Sequence, residues 1–285
     1  MSSPPPDRYA VVGHPVAHSQ SPFIHGLFAR HTQQAMAYER LLAPLDGFLD
    51  TVRRFEAEGG RGCNITVPFK FDVPACAHEL SDRARLAEAA NTLSFRSGRW
   101  QADNTDGLGL VRDLKVHAQR PLAGQHLLLV GAGGASAGVL APLIEAGVAS
   151  VTVVNRSPAK ATALVQRHRP LAQGLGVALF DGGLNDATDL RPEGFDVVIN
   201  GSASSLQGAD IPVHPRVLGP HSLAVDMMYG PAAQPFLAWA RAHGAQARDG
   251  LGMLVEQAAA AFALWRGVMP HTAPVLQALR ERVGA

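Results

Sequence analysis

The sequence predicts an α/β protein of two domains, an N-terminal α/β domain and a Rossmann-type dinucleotide-binding domain. Three observations predict it. Short apolar runs of strand length alternate with helical stretches along most of the chain. One alternation, His126–Ser157, reads HLLLVGAGGASAGVLAPLIEAGVASVTVVNRS: strand, glycine turn, helix, strand. A length of 285 residues is enough for two modest cores. The expected division is 1–105 with 250–285 for one domain and 106–249 for the other, the last helices returning to the first domain.

Composition narrows the function classes. Hydrophobic residues make up 47% and charged residues 17%, which is a globular balance. A formal net charge of +1, without a basic block, argues against general nucleic-acid binding. No apolar stretch reaches membrane-spanning length without polar interruption, so no membrane partner is expected. The opening MSSPPPDRYA reads as an irregular tail without a signal-peptide core. The two cysteines, Cys63 and Cys76, make neither a disulfide framework nor a metal spacing. A cytoplasmic enzyme with reduced thiols and no metal is the expectation.

In the first hundred residues, Tyr9–Gly13 is a strand candidate ending at a glycine. The segment His14–Pro22 follows, broken by Pro15 and Pro22. Ser21 before Pro22 reads as an N-cap with proline at the first helical position, opening a helix to His31. Ser19 and Ser21 thus present two hydroxyls at a strand end, suited to a small anion such as a carboxylate. Ala37–Leu41 is a second strand. Leu45–Glu58 is an amphipathic helix, with Phe48, Val52 and Phe55 on one face. Cys63, Ile65 and Val67 alternate with Asn64 and Thr66, so the two polar side chains share one face of a strand. Pro68 stops that strand and Lys70 follows, placed to enter a pocket. Ser81–Ala89 is a short helix, and Ala90–Phe95 with Arg99–Ala102 is a hairpin. Asn91 opens its first arm. Asp103 or Thr105 is expected to cap the next helix, which runs to about Ala118, with Asp106 in its first turn.

In the glycine unit, Leu127–Val130 and Val151–Val154 are wholly apolar, as strands buried on both faces require. Gly131, Ala132, Gly133, Gly134 and Ala135 form a tight turn that lets backbone N–H groups meet a pyrophosphate at the helix N-terminus. The second strand ends in Asn155-Arg156-Ser157, with Lys160 a turn later. An acidic residue there would repel a 2′-phosphate. Asn155 with Arg156 accepts one, so NADP is the expected cofactor. Further on, Ala159–His168 is a helix, and Gly176–Phe180, Phe195–Asn200, Ser222–Asp226 and Ala245–Arg248 are strands. Phe236–His243 is a helix. The strand ends lead into Gly201–Ser205 and Met227-Met228-Tyr229. A long apolar helix after Gly250 carries the polar Gln257.

Six blocks in order, H-S-x-S-P-x-x-H at His18–His25, N-x-T-x-P-x-K at Asn64–Lys70, Ala89–Thr92, N-T-D-G at Asn104–Gly107, the glycine turn with its N-R-S strand end, and Gly250–Gly267, resemble the shikimate dehydrogenases. The resemblance spans Tyr9 to Gly267. It implies a substrate domain and an NADP domain, and NADPH-dependent reduction of 3-dehydroshikimate to shikimate in aromatic amino-acid biosynthesis. It implies Lys70 and Asp106 as the catalytic pair. Ser19, Ser21, Asn64, Thr66, Lys70, Asn91, Asp106, Tyr229 and Gln257 would hold the substrate. Gly131–Ala135, Asn155, Arg156, Ser157, Lys160, Met227 and Gly250 would hold NADP, in a monomer or homodimer. The chain departs from the family's usual pattern at Gly26, Ser136, Gly201–Ser204 and Gln234. Three rivals stay open: an enzyme that also takes quinate, a non-catalytic NADP sensor, and a methylenetetrahydrofolate dehydrogenase-like enzyme. Retention of Lys70 and Asp106 speaks against the second. Polar rather than aromatic substrate-side loops speak against the third.

Overall fold

The computed structural model describes residues 5–202, 211 and 213–284. Residues 203–205 of the loop after Asn200 therefore lie outside the described residues. The chain divides into two compact units, one of Met1–Gly109 with Leu254–Gly284 and one of Leu110–Met253. The boundaries expected at 105/106 and 249/250 lie a few residues before these crossings, both of which fall inside helices.

The first unit is built on a six-stranded mixed sheet. Its strands are β1 (Asp7–Gly13), β2 (Met36–Leu42), β3 (Gly60–Ile65), β4 (Glu79–Leu80), β5 (Thr92–Arg96) and β6 (Arg99–Asp103), in the order β2-β1-β3-β5-β6-β4. β1 is parallel to β2 and β3, while the hairpin β5–β6 is joined to β3 through β5, which runs antiparallel to it. Its helices are α1 (Ser21–His31), α2 (Phe48–Ala57), α3 (Val73–Cys76), α4 (Asp82–Ala87) and the start of α5 (Asp106–Arg112). Phe48, Val52 and Phe55 lie about one helical turn apart and are all buried, in a core with Val12, Ile65, Phe69, Leu93 and Trp100. Helix α2 begins at Phe48 and not at Leu45. Gly47 donates to the Pro44 carbonyl at 3.0 Å, closing a turn that leaves Leu45 exposed. Strand β3 likewise stops at Ile65, and Val67 is exposed instead of continuing the alternation.

The second unit is a wholly parallel six-stranded sheet. Its strands are β7 (His126–Val130), β8 (Ser150–Val154), β9 (Ala178–Gly182), β10 (Phe195–Asn200), β11 (Leu218–Asp226) and β12 (Gln246–Arg248). The order β9-β8-β7-β10-β11-β12 is the 3-2-1-4-5-6 order of a Rossmann sheet, reversing direction between β7 and β10. Helices α6 (Gly134–Glu145), α7 (Pro158–Gly174), α8 (Ala187–Leu190) and α9 (Gln234–Ala242) lie between these strands in the chain. Leu127–Val130 and all of β8 are buried, as their apolar sequence requires. Helix α7 outruns the expected end at His168 and carries Pro170 inside it. The lost N–H is tolerated because Pro170 and Gln166 lie on the exposed face, where the Gln166 carbonyl can meet solvent, and Leu175 closes the end onto Leu171 and Ala172.

After α5 the helix widens into a π turn over Asp113–His117. The Asp113 carboxylate is fully buried and takes two bonds from Arg248 at the end of β12, Nε at 2.8 Å and Nη2 at 2.5 Å. A Cβ on Gly252 would lie 1.7 Å from Asp113 Oδ1, so only glycine fits beside this carboxylate. The chain then enters α10 (Leu251–Arg266) and α11 (Ala273–Val283). Within the first unit α11 packs on α1, with the Arg282 guanidinium 4.7 Å over the Phe23 ring, and Trp265 stacks on Tyr9 at 4.6 Å.

These buried groups set the stability of the chain in two testable ways. Arg248→Met leaves the Asp113 carboxylate buried and unpaired, and is expected to cost about 3–5 kcal/mol in denaturant unfolding. A loss under about 1 kcal/mol would contradict this account. The second concerns pH. Burial pushes the His25 imidazole down to about 3 and that of His168 to about 4. In the unfolded chain both protonate near pH ~6.5, so between those values the unfolded state binds more protons and stability falls as pH falls. Each histidine contributes a slope of about 1.4 kcal/mol per pH unit over its window. Urea midpoints should drop steadily below pH ~6.5, and His168→Leu should flatten that slope. An unchanged slope would refute the assignment.

Candidate active site

The polar residues of the first unit gather at the ends of β1, β3 and β5 and at the start of α5. Lys70 sits on a single 3₁₀ turn, Phe69–Phe71, shortly after the end of β3. Phe69 anchors the turn by stacking on Phe48 at 4.9 Å, and the Lys70 carbonyl accepts the Ala90 N–H at 2.9 Å. Lys70 Nζ then reaches Asp106 Oδ2 at 2.5 Å. The two side chains are 16% and 6% exposed, so the pair is screened little by solvent. Asp106 stands in the first turn of α5, where the helix dipole favours a carboxylate.

Asn91, at the entry to β5, is the node of the cluster. Its Nδ2 lies 2.8 Å from Asp106 Oδ1, 3.0 Å from Thr105 Oγ1 and 3.2 Å from Gln257 Oε1. Its Oδ1 accepts the Thr105 N–H at 2.8 Å and the Thr92 hydroxyl at 2.9 Å. Gln257, on α10, donates its own Nε2 to the Leu254 carbonyl at 2.8 Å. Asn64 turns its Nδ2 to the Asn91 carbonyl at 3.2 Å and to Thr92 Oγ1 at 3.1 Å. That orientation is forced, because a flipped amide would set its oxygen against the Asn91 carbonyl oxygen. The Asn64 oxygen therefore accepts from the Tyr38 phenol, at 2.7 Å. Ser19 Oγ donates to Ser21 Oγ at 3.2 Å, and Arg40 grips the Ser19 carbonyl at 2.6 and 3.0 Å. Thr66 turns its methyl onto Gly13, where a Cβ would lie 2.3 Å from it.

Two expected caps are corrected. Ser21 is the first residue of α1, not its N-cap, and Gln20 precedes it without a side-chain capping bond. Ser19 Oγ accepts the Ser21 N–H at 3.3 Å, a serine turn that does the capping work two residues early. At α5, neither Asp103 nor Thr105 caps. Asn104 Oδ1 accepts the Asp106 N–H at 3.1 Å. The Asp103 carboxylate is committed to Arg83 and Ser81, both at 2.6 Å, and the Thr105 hydroxyl to Asn91.

Tyr38, Thr92, Asn104 and Thr105 are members of the cluster that sequence reasoning did not assign to it. The signal for Tyr38 was period two along β2. Tyr38 and Asn64 sit on strands that both pair with β1, in the registers Tyr9↔Tyr38 and Val11↔Asn64.

The cofactor candidates lie in the second unit. Gly131 has φ +106°, and a Cβ there would come within 3.0 Å of the Gly201–Ser202 backbone, so the turn after β7 requires glycine. Gly133 is the N-cap of α6 and nothing among the described residues lies within 4 Å of a Cβ built on it. With no capping side chain and no acid in the first turn, the N-terminus of α6 suits an anion. Asn155 stiffens the turn, its Oδ1 accepting the Ala132 N–H at 3.2 Å and its Nδ2 donating to the Ser157 carbonyl at 3.0 Å. Arg156, Ser157 and Lys160 are exposed beside it. A dinucleotide phosphate fits this cradle, and a second phosphate fits the basic strand end. At the neighbouring strand ends, Asn200 Nδ2 bonds Asp226 Oδ2 at 3.0 Å. Met227 donates to the Asn200 carbonyl and Gly250 to that of Met228. A Cβ on Gly250 would lie 2.3 Å from the Met227 carbonyl oxygen, so this contact also demands glycine. Tyr229 follows, partly buried, before a 3₁₀ turn, and Gln234 opens α9. Tyr229, Met227 and Gly250 thus belong to the second unit, whereas the cluster around Lys70 belongs to the first. Among the described residues no group of three or more His, Cys, Asp or Glu side chains is arranged to hold a metal.

Comparison with known proteins agrees with this layout. Residues 11–93 match the shikimate dehydrogenase substrate binding domain, 114–180 the shikimate/quinate 5-dehydrogenase family, and 250–280 the shikimate 5'-dehydrogenase C-terminal domain. The shikimate dehydrogenase (NADP(+)) of Acidovorax ebreus is 58% identical over 281 residues, 98% of each chain. An Ael1 enzyme from Pseudomonas putida is 43% identical, with a TM-score of 0.86 over 96% of this chain and 98% of that one. The shikimate 5-dehydrogenase of Thermus thermophilus, solved in complex with NADP(H) and shikimate, is 32% identical, with a TM-score of 0.82 over 96% and 99%. On the near-complete match to these relatives, the chain belongs to the shikimate dehydrogenase family.

Proposed function

We propose that this chain is an NADP-dependent shikimate dehydrogenase that interconverts 3-dehydroshikimate and shikimate. The observation that carries the reading is the Lys70–Asp106 pair at 2.5 Å, ringed by the amides of Asn91 and Gln257. It is the chemistry a carbonyl reduction needs. NADPH, when bound, supplies the hydride. Negative charge then grows on the substrate carbonyl oxygen, and an ammonium there stabilises the transition state more than the ground state. Lys70 donates the proton in reduction and accepts it in oxidation. Asp106 holds the ammonium in place with Oδ2 and is itself held by Asn91. In this reading Ser19 and Ser21 bind the substrate carboxylate. Asn64, Thr66, Asn91 and Gln257 read its hydroxyls and shape the pocket. A site built to bond hydroxyls discriminates against analogues lacking them by about 10⁴-fold in good cases.

Residues Gly131–Ala135 take the cofactor pyrophosphate, and Asn155, Arg156, Ser157 and Lys160 take the 2′-phosphate end. Met227 and Gly250 flank the nicotinamide side. The finer parts of the proposal are a cytoplasmic location and a monomer or homodimer. Neither Cys63 nor Cys76 is in a disulfide, and the location proposed here rests on that cysteine usage alone.

The direct test is the absorbance of NADPH formed from NADP with shikimate and with quinate, each repeated with NAD. Shikimate with NADP should exceed the other combinations, and comparable quinate turnover would move the enzyme to a dual-substrate role. Two variants test the assigned residues. Lys70→Ala should lower kcat by about 10²–10⁴-fold while leaving NADP affinity unchanged, and wild-type turnover would remove Lys70 from the chemistry. Asn155→Asp places a carboxylate where the 2′-phosphate would lie. It should shift the ratio of kcat/KM for NADP over NAD by at least about tenfold towards NAD, and an unmoved ratio would show that the end of β8 does not read the cofactor.

A further inference from the structure

His25 is fully buried, and its polar neighbour is the Asn64 side chain, which stands outside ordinary hydrogen-bond geometry to either ring nitrogen. Burying an imidazole in this way costs free energy that an apolar side chain would not incur. Its surroundings show what the ring does there. It lies one helical turn after Ser21 on α1, so both face the same side. Its ring is stacked on Tyr38 at 4.2 Å and 6° from parallel. Phe28, Phe262 and Trp265 enclose it at 6.0, 6.2 and 5.5 Å. The Tyr38 phenol so held donates to Asn64 Oδ1 at 2.7 Å. The same phenol has the Ser21 hydroxyl as a neighbour, and the Asn64 side chain is the polar group beside the imidazole.

We infer that His25 is a positioning residue for substrate recognition: its ring face fixes the plane of Tyr38, and through the Tyr38 phenol it fixes the amide of Asn64. The inference rests on the substrate reading given above. Ser21, on the carboxylate side, and Asn64, on the hydroxyl side, stand on separate elements, α1 and β3. The stacked His25–Tyr38 pair is the body between them. A neutral ring suits this place, because an imidazolium would be buried among aromatic rings without a counter-ion among the described residues.

The test uses the full-length protein with shikimate and NADP. Wild-type turnover is the first arm, and its absence would remove the substrate reading itself. Given that turnover, His25→Leu, which keeps much of the bulk and loses the flat face, should raise the shikimate KM about tenfold, the effect of one mispositioned hydrogen bond. The kcat should stay within about twofold and NADP affinity should not move. His25→Gln, which keeps a polar head and loses the ring, should raise KM alike. In a Tyr38→Phe background, His25→Leu should add less than about twofold, because the phenol through which it acts is already gone. A wild-type KM in either single variant, or a full further rise of about tenfold in the Tyr38→Phe background, would overturn the inference.

Discussion

A carboxylate and an ammonium drawn out of water are tolerable only if their remaining atoms are occupied. Asp106 meets that demand from both sides, Lys70 on one oxygen and Asn91 on the other. Asn91 is satisfied in turn by Thr105 and Thr92. Its main chain is equally engaged, accepting from Ile65 of β3 and donating to Asp103 of β6. The chemistry of the cluster is therefore inherited from strand register. Had β5 paired one residue out of step with β3, Asn91 would face the opposite side of the sheet, and Asp106 would lose its second partner.

The second unit is governed by a different constraint, close approach of backbone. Gly131, at φ +106°, meets the Gly201–Ser202 backbone, and Gly250 meets the Met227 carbonyl. Both contacts sit at strand ends of a parallel sheet, and the first lies where the order reverses between β7 and β10. A side chain at either position would push two strand exits apart. The small residues that make the turn recognisable in sequence are thus the ones that let neighbouring loops converge.

Much of this was legible before any coordinates. The glycine unit was, because a tight turn, a buried parallel strand and an anion-ready helix each leave a local mark. Lys70 and Gln257 stand out as polar residues just past a strand end and inside an apolar helix, whereas Asp106 and Asn91 read locally as a first-turn acid and the opening of a hairpin arm, and only the family resemblance gives them a place in a site. What escaped depended on tertiary partners. Tyr38 reads as an ordinary strand tyrosine until its register against β1 sets it beside Asn64. Asn104 takes the cap because Asp103 is claimed by Arg83 and Ser81, from α4 and the residue before it, which no local pattern reveals. A proline ordinarily ends a helix, yet α7 continues through Pro170, which stands on its exposed face. The π turn at Asp113 exists where a buried carboxylate must meet Arg248, a residue far along the chain.

The carboxylate side of the proposed site carries no formal charge of its own. An arginine set directly against a substrate carboxylate would bind it strongly in ground state and transition state alike, and such uniform binding does not raise the rate of the chemical step. On the proposed reading two neutral hydroxyls stand in that place, Ser19 donating to Ser21. Arg40 donates Nε and Nη2 to the Ser19 carbonyl, so its guanidinium fixes the serine turn while staying exposed to solvent, which screens its charge. On the proposed reading neutral donors carry geometry, and the close ammonium is left for the oxygen whose charge changes during the reaction. On that reading Lys70 discriminates between ground state and transition state because its charge is placed at the reacting end, where the substrate's own charge changes.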